Sequence, residues 1–354
     1  MNSKKFIILI LLGVFFSLLP FAYINYNVDP YSIIRKNEIF YKKYDQEKSR
    51  YYNPGLIQNY SIDNALITTS LLQNVTLNKY QNIFKIDNFI KLSIPGGSSY
   101  EFDKTISYLI EEHPKIENIY IELNSFVMLP GPKKRLRCGS RCFPEYLYKN
   151  SAINLSYLIN YQNLVQSLKI KKLTKKIGIK NNEKFFNEMY FVNFMSTDEL
   201  KKNSYTKYLK KNVFQILDTL ENPNSKNMMR NFNESILEHV KKNPKIKFHF
   251  IFMPKSIYYY KLLEHNDYLN MYFELKNLIF KDALDHNNLR LHDLENNFDY
   301  VYSIKKFKDL MHLKDENINQ LMYEILNNSY TSTKENYQNN HSKQLKKIKN
   351  FIIR

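Results

Sequence analysis

Asp309 and His312 form the only Asp-x-x-His in the chain, and far upstream an apolar run ends in Thr68-Thr69-Ser70-Leu71. A hydroxyl, an imidazole and a carboxylate are the parts of nucleophilic acyl chemistry. The carboxylate orients the imidazole, the imidazole takes the hydroxyl proton, and the oxygen attacks a carbonyl. The i, i+3 spacing lets Asp309 set the tautomer of His312 while the other ring nitrogen stays available for Ser70. An attacked carbonyl needs donors for its developing oxyanion. Three sources stand after short apolar runs: the Ser70 turn, read as a strand-to-helix turn whose helix N-terminal amides could serve, Gly96 and Gly97 within Ser93-Ile94-Pro95-Gly96-Gly97-Ser98, and Asn124 after Glu122-Leu123. Each also has an ordinary use, Ser70 as a helix N-cap, the glycines as a turn and Asn124 as an Asx-turn.

These positions recur after strand-like segments, so the elements that carry them come next. Short apolar runs at Ala65–Thr69, Phe89–Ile94, Asn118–Leu123, Ile246–Phe252 and Leu289–His292 predict strands. Amphipathic stretches at Ser99–Glu112, Asn231–Lys242, Tyr268–Leu284 and Asp315–Asn327 predict helices. Strands alternating with helices imply an α/β fold, a flavodoxin-like parallel sheet of about five strands with helices on both faces. Ligands of such sheets collect beyond the C-terminal strand ends, where Ser70, the glycines and Asn124 all fall, and Asp309 and His312 lie in a loop before the Asp315 helix. From about residue 144 to 229 the rhythm breaks into Lys-, Tyr- and Phe-rich helical patterns, read as a helical insertion. Residues 331–354 read as a basic, poorly ordered tail.

Residues Phe6–Ile24 are nineteen uncharged, mostly apolar positions behind Lys4 and Lys5, enough to cross a hydrocarbon core as a helix. No small-residue cleavage site follows, so residues 1–26 read as an uncleaved single-pass anchor and 27–330 as the main domain. Charge flanking does not orient it, because Arg35, Lys36, Lys42 and Lys43 oppose Lys4 and Lys5.

The net charge of +18 comes from lysines spread along the chain without a nucleic-acid motif, so no nucleic-acid partner is expected. Cys138 and Cys142 are the only cysteines; in an exported domain they can close a small disulfide ring, and in a reducing compartment they stay thiols. No histidines pair at i, i+4, and two thiols alone do not make a metal site, so neither metal nor cofactor is expected.

In chain order, Ser70, Gly96 or Gly97, Asn124, Asp309 and His312 resemble the SGNH/GDSL hydrolase superfamily, whose blocks run Ser, Gly, Asn, then Asp-x-x-His. The chain also looks like a membrane-anchored bacterial group of SGNH hydrolase-like proteins. It carries their Asp29-Pro30-Tyr31 after the anchor, a Thr68-to-Leu71 block, Phe143-to-Tyr148, Phe252-Met253-Pro254 and the closing Asp-x-x-His. The likeness covers about residues 20 to 328. Thr68 stands where that group has Gly, Thr69 where Gly-Asp-Ser enzymes have an acid, and Asn124 where the group often has Asp. The resemblance implies Ser70, Asp309 and His312 as catalytic residues, with an oxyanion hole from Ser70, Gly96 or Gly97, and Asn124. It further implies an esterase or acyltransferase acting on O-acetyl groups of envelope polysaccharide, held in the cytoplasmic membrane with its main domain facing the periplasm or cell exterior. A catalytically silent glycan-binding or scaffolding protein is the alternative it leaves.

Overall fold

The computed structural model describes residues 3–36, 39–42, 48–77, 83–84, 86–124, 143–149, 155–178 and 225–352. Cys138 and Cys142 lie outside the described residues, as does most of the expected insertion. In chain order the main elements are α1 (Ser3–Val28), α2 (Ser49–Asn59), β1 (Asn64–Thr68), β2 (Phe89–Ser93), α3 (Ser99–Glu112), β3 (Asn118–Glu122) and α4 (Tyr161–Ile177). There follow α5 (Ser225–Phe232), β4 (Lys247–Phe252), α6 (Ile257–His265), α7 (Leu269–Ala283), β5 (Leu289–Asp293), α8 (Asp315–Leu326), β6 (Thr331–Ser332) and α9 (Tyr337–Asn350). A π-helical turn, Asn233–Leu237, continues α5 into Glu238–Lys242. The chain divides into two compact units, one of residues 1–61 with 140–186 and one of residues 62–139 with 187–354.

The second unit is an α/β layer structure around a six-stranded sheet of order β2-β1-β3-β4-β5-β6. Five strands are parallel, in the flavodoxin-like order, and the two-residue β6 pairs antiparallel with β5 at the edge. Parallel strands covered on both faces read as continuous apolar runs, and β1, Asn-Ala-Leu-Ile-Thr, is buried throughout. Chain order reverses between β1 and β3, so the crevice beyond their C-terminal ends is the natural ligand position.

Two features there depart from expectation. Ser70 does not open a helix: residues 70–77 run through bends and turns, because side chains take the backbone groups that a helical ladder would use. Glu122 accepts the Leu72 amide at 3.1 Å, and the buried Lys91 ammonium donates to the Gln73 and Val75 carbonyls at 2.7 Å each. Residues 331–354, expected as a tail, instead carry β6 and α9. Tyr337, His341, Gln344 and Ile348 are buried along one face of α9, at helical spacing, and Gln344 donates to the Glu295 carbonyl at 3.0 Å.

The first unit is built around the end of α1. This helix is long and apolar enough to cross a membrane, and its most apolar stretch, of mean hydropathy 2.6, is not buried inside the protein; a signal sequence would share those properties. Only its last turns are covered. Asn25 is fully buried, donating to the Leu158 and Asn160 carbonyls at 2.7 and 3.2 Å and accepting the Ser167 hydroxyl at 2.9 Å. Asp29 then turns the chain at φ 46°, its carboxylate accepting the amides of Ile33, Ile34 and Arg35 at 2.9 to 3.0 Å and the Tyr157 hydroxyl at 2.7 Å. α2 crosses this turn so closely that a Cβ on Gly55 would stand 2.3 Å from the Ser32 carbonyl oxygen.

Candidate active site

β1 delivers Thr68 and Thr69 buried and Ser70 partly open to solvent, followed by buried Leu71 and Leu72. Those two leucines and Val75 share an apolar cluster with Ile318, Leu321, Met322 and Ile325 of α8. The same cluster takes in Phe307 and Leu313, which pair across the base of the loop that holds Asp309 and His312. Burial of apolar surface thus brings two segments remote in sequence to one place. Polar bonds then fix the register: Asn74 donates to Asp315 at 2.7 Å, Lys308 to the same carboxylate oxygen at 2.5 Å, and Ser256 to the Leu310 carbonyl at 2.8 Å.

Within this frame Nε2 of His312 lies 2.8 Å from Oγ of Ser70, and Nδ1 lies 2.6 Å from Oδ2 of Asp309. The other Asp309 oxygen accepts the Met311 and His312 amides at 2.8 and 2.7 Å, which holds the carboxylate in one orientation. Burial pushes the Asp309 pKa up, but the hydrogen bond and charge of His312, with those two amides, outweigh it and hold the carboxyl below its ordinary value. An anionic Asp309 keeps a proton on Nδ1 and leaves Nε2 to accept one from the serine. The three residues picked out by spacing therefore meet in one hydrogen-bonded line.

The expected oxyanion donors divide. Thr68 pairs with Ser93, and the Ile94 amide donates to the Thr68 carbonyl at 2.7 Å, so the glycine turn runs beside the Ser70 turn. Gly97 spends its amide on the Ile94 carbonyl at 2.8 Å, closing that turn. Gly96 sits exposed at φ 58°, a left-handed conformation that suits glycine, with nothing within 4 Å of where a Cβ would stand. Of the pair it is the residue whose amide the closing bond leaves unused. Asn124 is buried, and its amide nitrogen is 3.2 Å from both the Thr69 hydroxyl and Oε1 of Glu122, an internal engagement instead of a solvent-facing donor.

Glu122 is the residue that spacing did not mark. Fully buried at the end of β3, it accepts the Thr68 hydroxyl at 2.5 Å, the Thr69 amide at 3.1 Å, the Leu72 amide at 3.1 Å and the Thr69 hydroxyl. It braces the turn that presents Ser70 from below. A carboxylate ending an otherwise apolar central strand was the one available signal, since such a group must find buried donors.

No family model matches this chain, and no curated protein does. Among the described residues, no three His, Cys, Asp or Glu side chains gather as a metal-ligand set.

Proposed function

We propose that this chain is a membrane-tethered serine esterase or acyltransferase of SGNH type, acting on O-acetyl groups of envelope polysaccharide. One observation carries the reading: the unbroken line of hydrogen bonds from Ser70 through His312 to Asp309. In the first half-reaction, Oγ of Ser70 attacks the acetyl carbonyl as its proton passes to Nε2 of His312. The tetrahedral intermediate collapses with that proton delivered to the departing sugar oxygen, leaving acetyl on Ser70. In the second, water or another sugar hydroxyl gives its proton to Nε2 of His312 and takes the acetyl group, and His312 returns that proton to Oγ of Ser70 as the acyl bond breaks; the acceptor separates hydrolysis from transfer. The Ser70 and Gly96 amides are assigned to the oxyanion, with Asn124 joining them once substrate draws its side chain away from Glu122. The periplasmic or external placement and the glycan substrate come from the resemblance in residue order and from the apolar α1.

A catalytically silent glycan-binding or scaffolding protein is the second reading. It is favoured by the engagement of Asn124 with Thr69 and Glu122. The deciding experiment uses the full chain in detergent, because Asn25 belongs to the folded first unit. It is incubated with an acetyl ester of a phenol, an O-acetylated polysaccharide and a serine-reactive fluorophosphonate, beside Ser70→Ala. Turnover and labelling that vanish in Ser70→Ala support the enzyme; a wild-type chain that neither turns over nor labels supports the silent reading.

A further inference from the structure

The first unit carries a second feature that the ester chemistry does not use. α4 holds Lys169, Lys171, Lys172, Lys175 and Lys176, all exposed, and no acidic residue occurs from Leu155 to Gly178. Its buried side is Asn163, Ser167 and Ile170, so Tyr161, Leu168, Lys172 and Lys175, spaced by seven, four and three, fall together on the opposite side. Two of these are apolar or aromatic and open to solvent, Tyr161 at 69% and Leu168 at 50%; Leu155, just before the helix, is 67% exposed. Tyrosine and leucine beside a lysine cluster is the composition of a helix lying in a membrane interface.

The level of this helix is set by Asn25. The apolar run of α1 ends at Ile24, and the next side chain bonds the Leu158 and Asn160 carbonyls and Ser167. The start of α4 is thereby tied to the point where α1 leaves its apolar stretch. Leu18, Phe21 and Ala22, still inside that stretch, are partly covered on the same side as Asn25. A cavity of about 300 Å³ in the same unit is lined by Tyr31, Lys48, Tyr51, Tyr161, Gln166 and Lys169, so aromatic walls and two ammonium groups meet at the edge of the lysine face.

We propose that the outward face of α4 is a docking surface for the anionic phospholipid headgroups of the membrane that α1 crosses. Lysines on α4 pair with headgroup phosphates, and Tyr161 and Leu168 enter the acyl boundary. The effect is to hold the part of the first unit beyond Ile24 against the bilayer surface. This rests on the membrane reading of α1 and not on the esterase reading.

The test uses the full chain in nanodiscs of phosphatidylcholine and phosphatidylglycerol, with the lipids it retains on transfer to detergent measured by mass spectrometry. Wild type retains phosphatidylglycerol in several-fold excess, and high salt reduces the excess. Changing Lys169, Lys171, Lys172, Lys175 and Lys176 to Gln removes most of it. Changing Lys343, Lys346 and Lys349 of α9 to Gln leaves it intact. Equal retention of the two lipids by wild type overturns the proposal, as does an excess that survives in the α4 variant or is lost in the α9 variant. Should the α4 variant misfold, the salt response of wild type decides: an excess insensitive to salt overturns the surface. A chain that does not enter nanodiscs sinks the reading of α1, and the surface with it; entry without a lipid preference sinks the surface alone.

Discussion

Ser70 and His312 stand 242 positions apart in sequence and 2.8 Å apart in space. What joins them is the apolar cluster between residues 71–77 and α8, so the contact is held in place by the core packed beside it. Removing either end should then cost chemistry and little stability. Ser70→Ala is expected to lower kcat/KM for an acetyl ester by at least about a thousandfold, while unfolding free energy stays within about 1 kcal/mol of wild type. Activity that survives in Ser70→Ala ends the assignment.

Asp309 holds His312 through Nδ1 and is itself held by two amides, so the isosteric Asp309→Asn keeps the loop and loses the charge. The expected outcome is a fall in kcat of about a thousandfold or more with KM nearly unchanged, because an amide favours the wrong histidine tautomer. Steady-state kinetics with circular dichroism as a folding control reads this directly, and a fall in KM alone would contradict it.

Glu122 supports the Ser70 turn through Thr68, Thr69 and Leu72. Glu122→Ala leaves the Thr69 and Leu72 amides without their acceptor in a buried place, so denaturant unfolding should show a loss of about 3 kcal/mol or more. Glu122→Gln keeps an oxygen for those amides and should retain the fold while kcat drops. Equal stability of wild type and Glu122→Ala would mean that the turn is held by other bonds.

The strands were legible because buried parallel strands are bare apolar runs, as in Phe89–Ser93 and Asn118–Glu122. Asp309 and His312 could be singled out as an Asp-x-x-His before a helix, and Ser70 as a hydroxyl directly after an apolar run. Glu122 was not legible, since apart from the Asn124 side chain its partners are two hydroxyls and two backbone amides some fifty residues away, which leave no spacing to see. α9 escaped for a related reason: its buried stripe includes two polar residues, Gln344, which bonds Lys276 and the Glu295 carbonyl, and His341, which packs edge-on against Phe280. The Ser70 turn was expected to open a helix, and the side chains that prevent it, Glu122 and Lys91, come from neighbouring strands.

A pH dependence of stability follows from the sheet interior. His249 stacks on Tyr120, and its Nδ1 is 3.0 Å from Nε2 of His292. Burial lowers both pKa values, to about 3 for His249, with the charge of His292 adding to the effect, and to about 4 for His292. Above the unfolded value of about 6.5 neither state is protonated there and folding is unpenalised. Below it the unfolded chain binds protons that the native state refuses, so stability should fall by about 1.4 kcal/mol per pH unit for each histidine until pH approaches 4 and then 3. Urea unfolding at pH 7 and pH 5 measures this, and His249→Phe, which keeps the stack on Tyr120, should reduce the slope.

The last prediction concerns Lys276, buried where β5 meets α7 and α9. Its ammonium donates to Asp293 at 2.7 Å, Glu295 at 2.9 Å and Gln344 at 3.1 Å, while Lys255 donates to the second oxygen of Glu295 at 2.5 Å. Burial alone would lower the Lys276 pKa, but Asp293 and Glu295 outweigh it and raise it above the ordinary value. Burial likewise would raise Glu295, and Lys255 with Lys276 pulls it down to about 2. Two cations thus face two carboxylates, all four buried, and removing one member leaves its partners uncompensated. Lys276→Met should cost about 3 to 5 kcal/mol, more than the side chain's apolar stem could explain. Adding Asp293→Asn to it should restore part of that loss, because the second change removes the stranded charge. Additive losses in the double variant would show that Lys276 and Asp293 do not act as a pair.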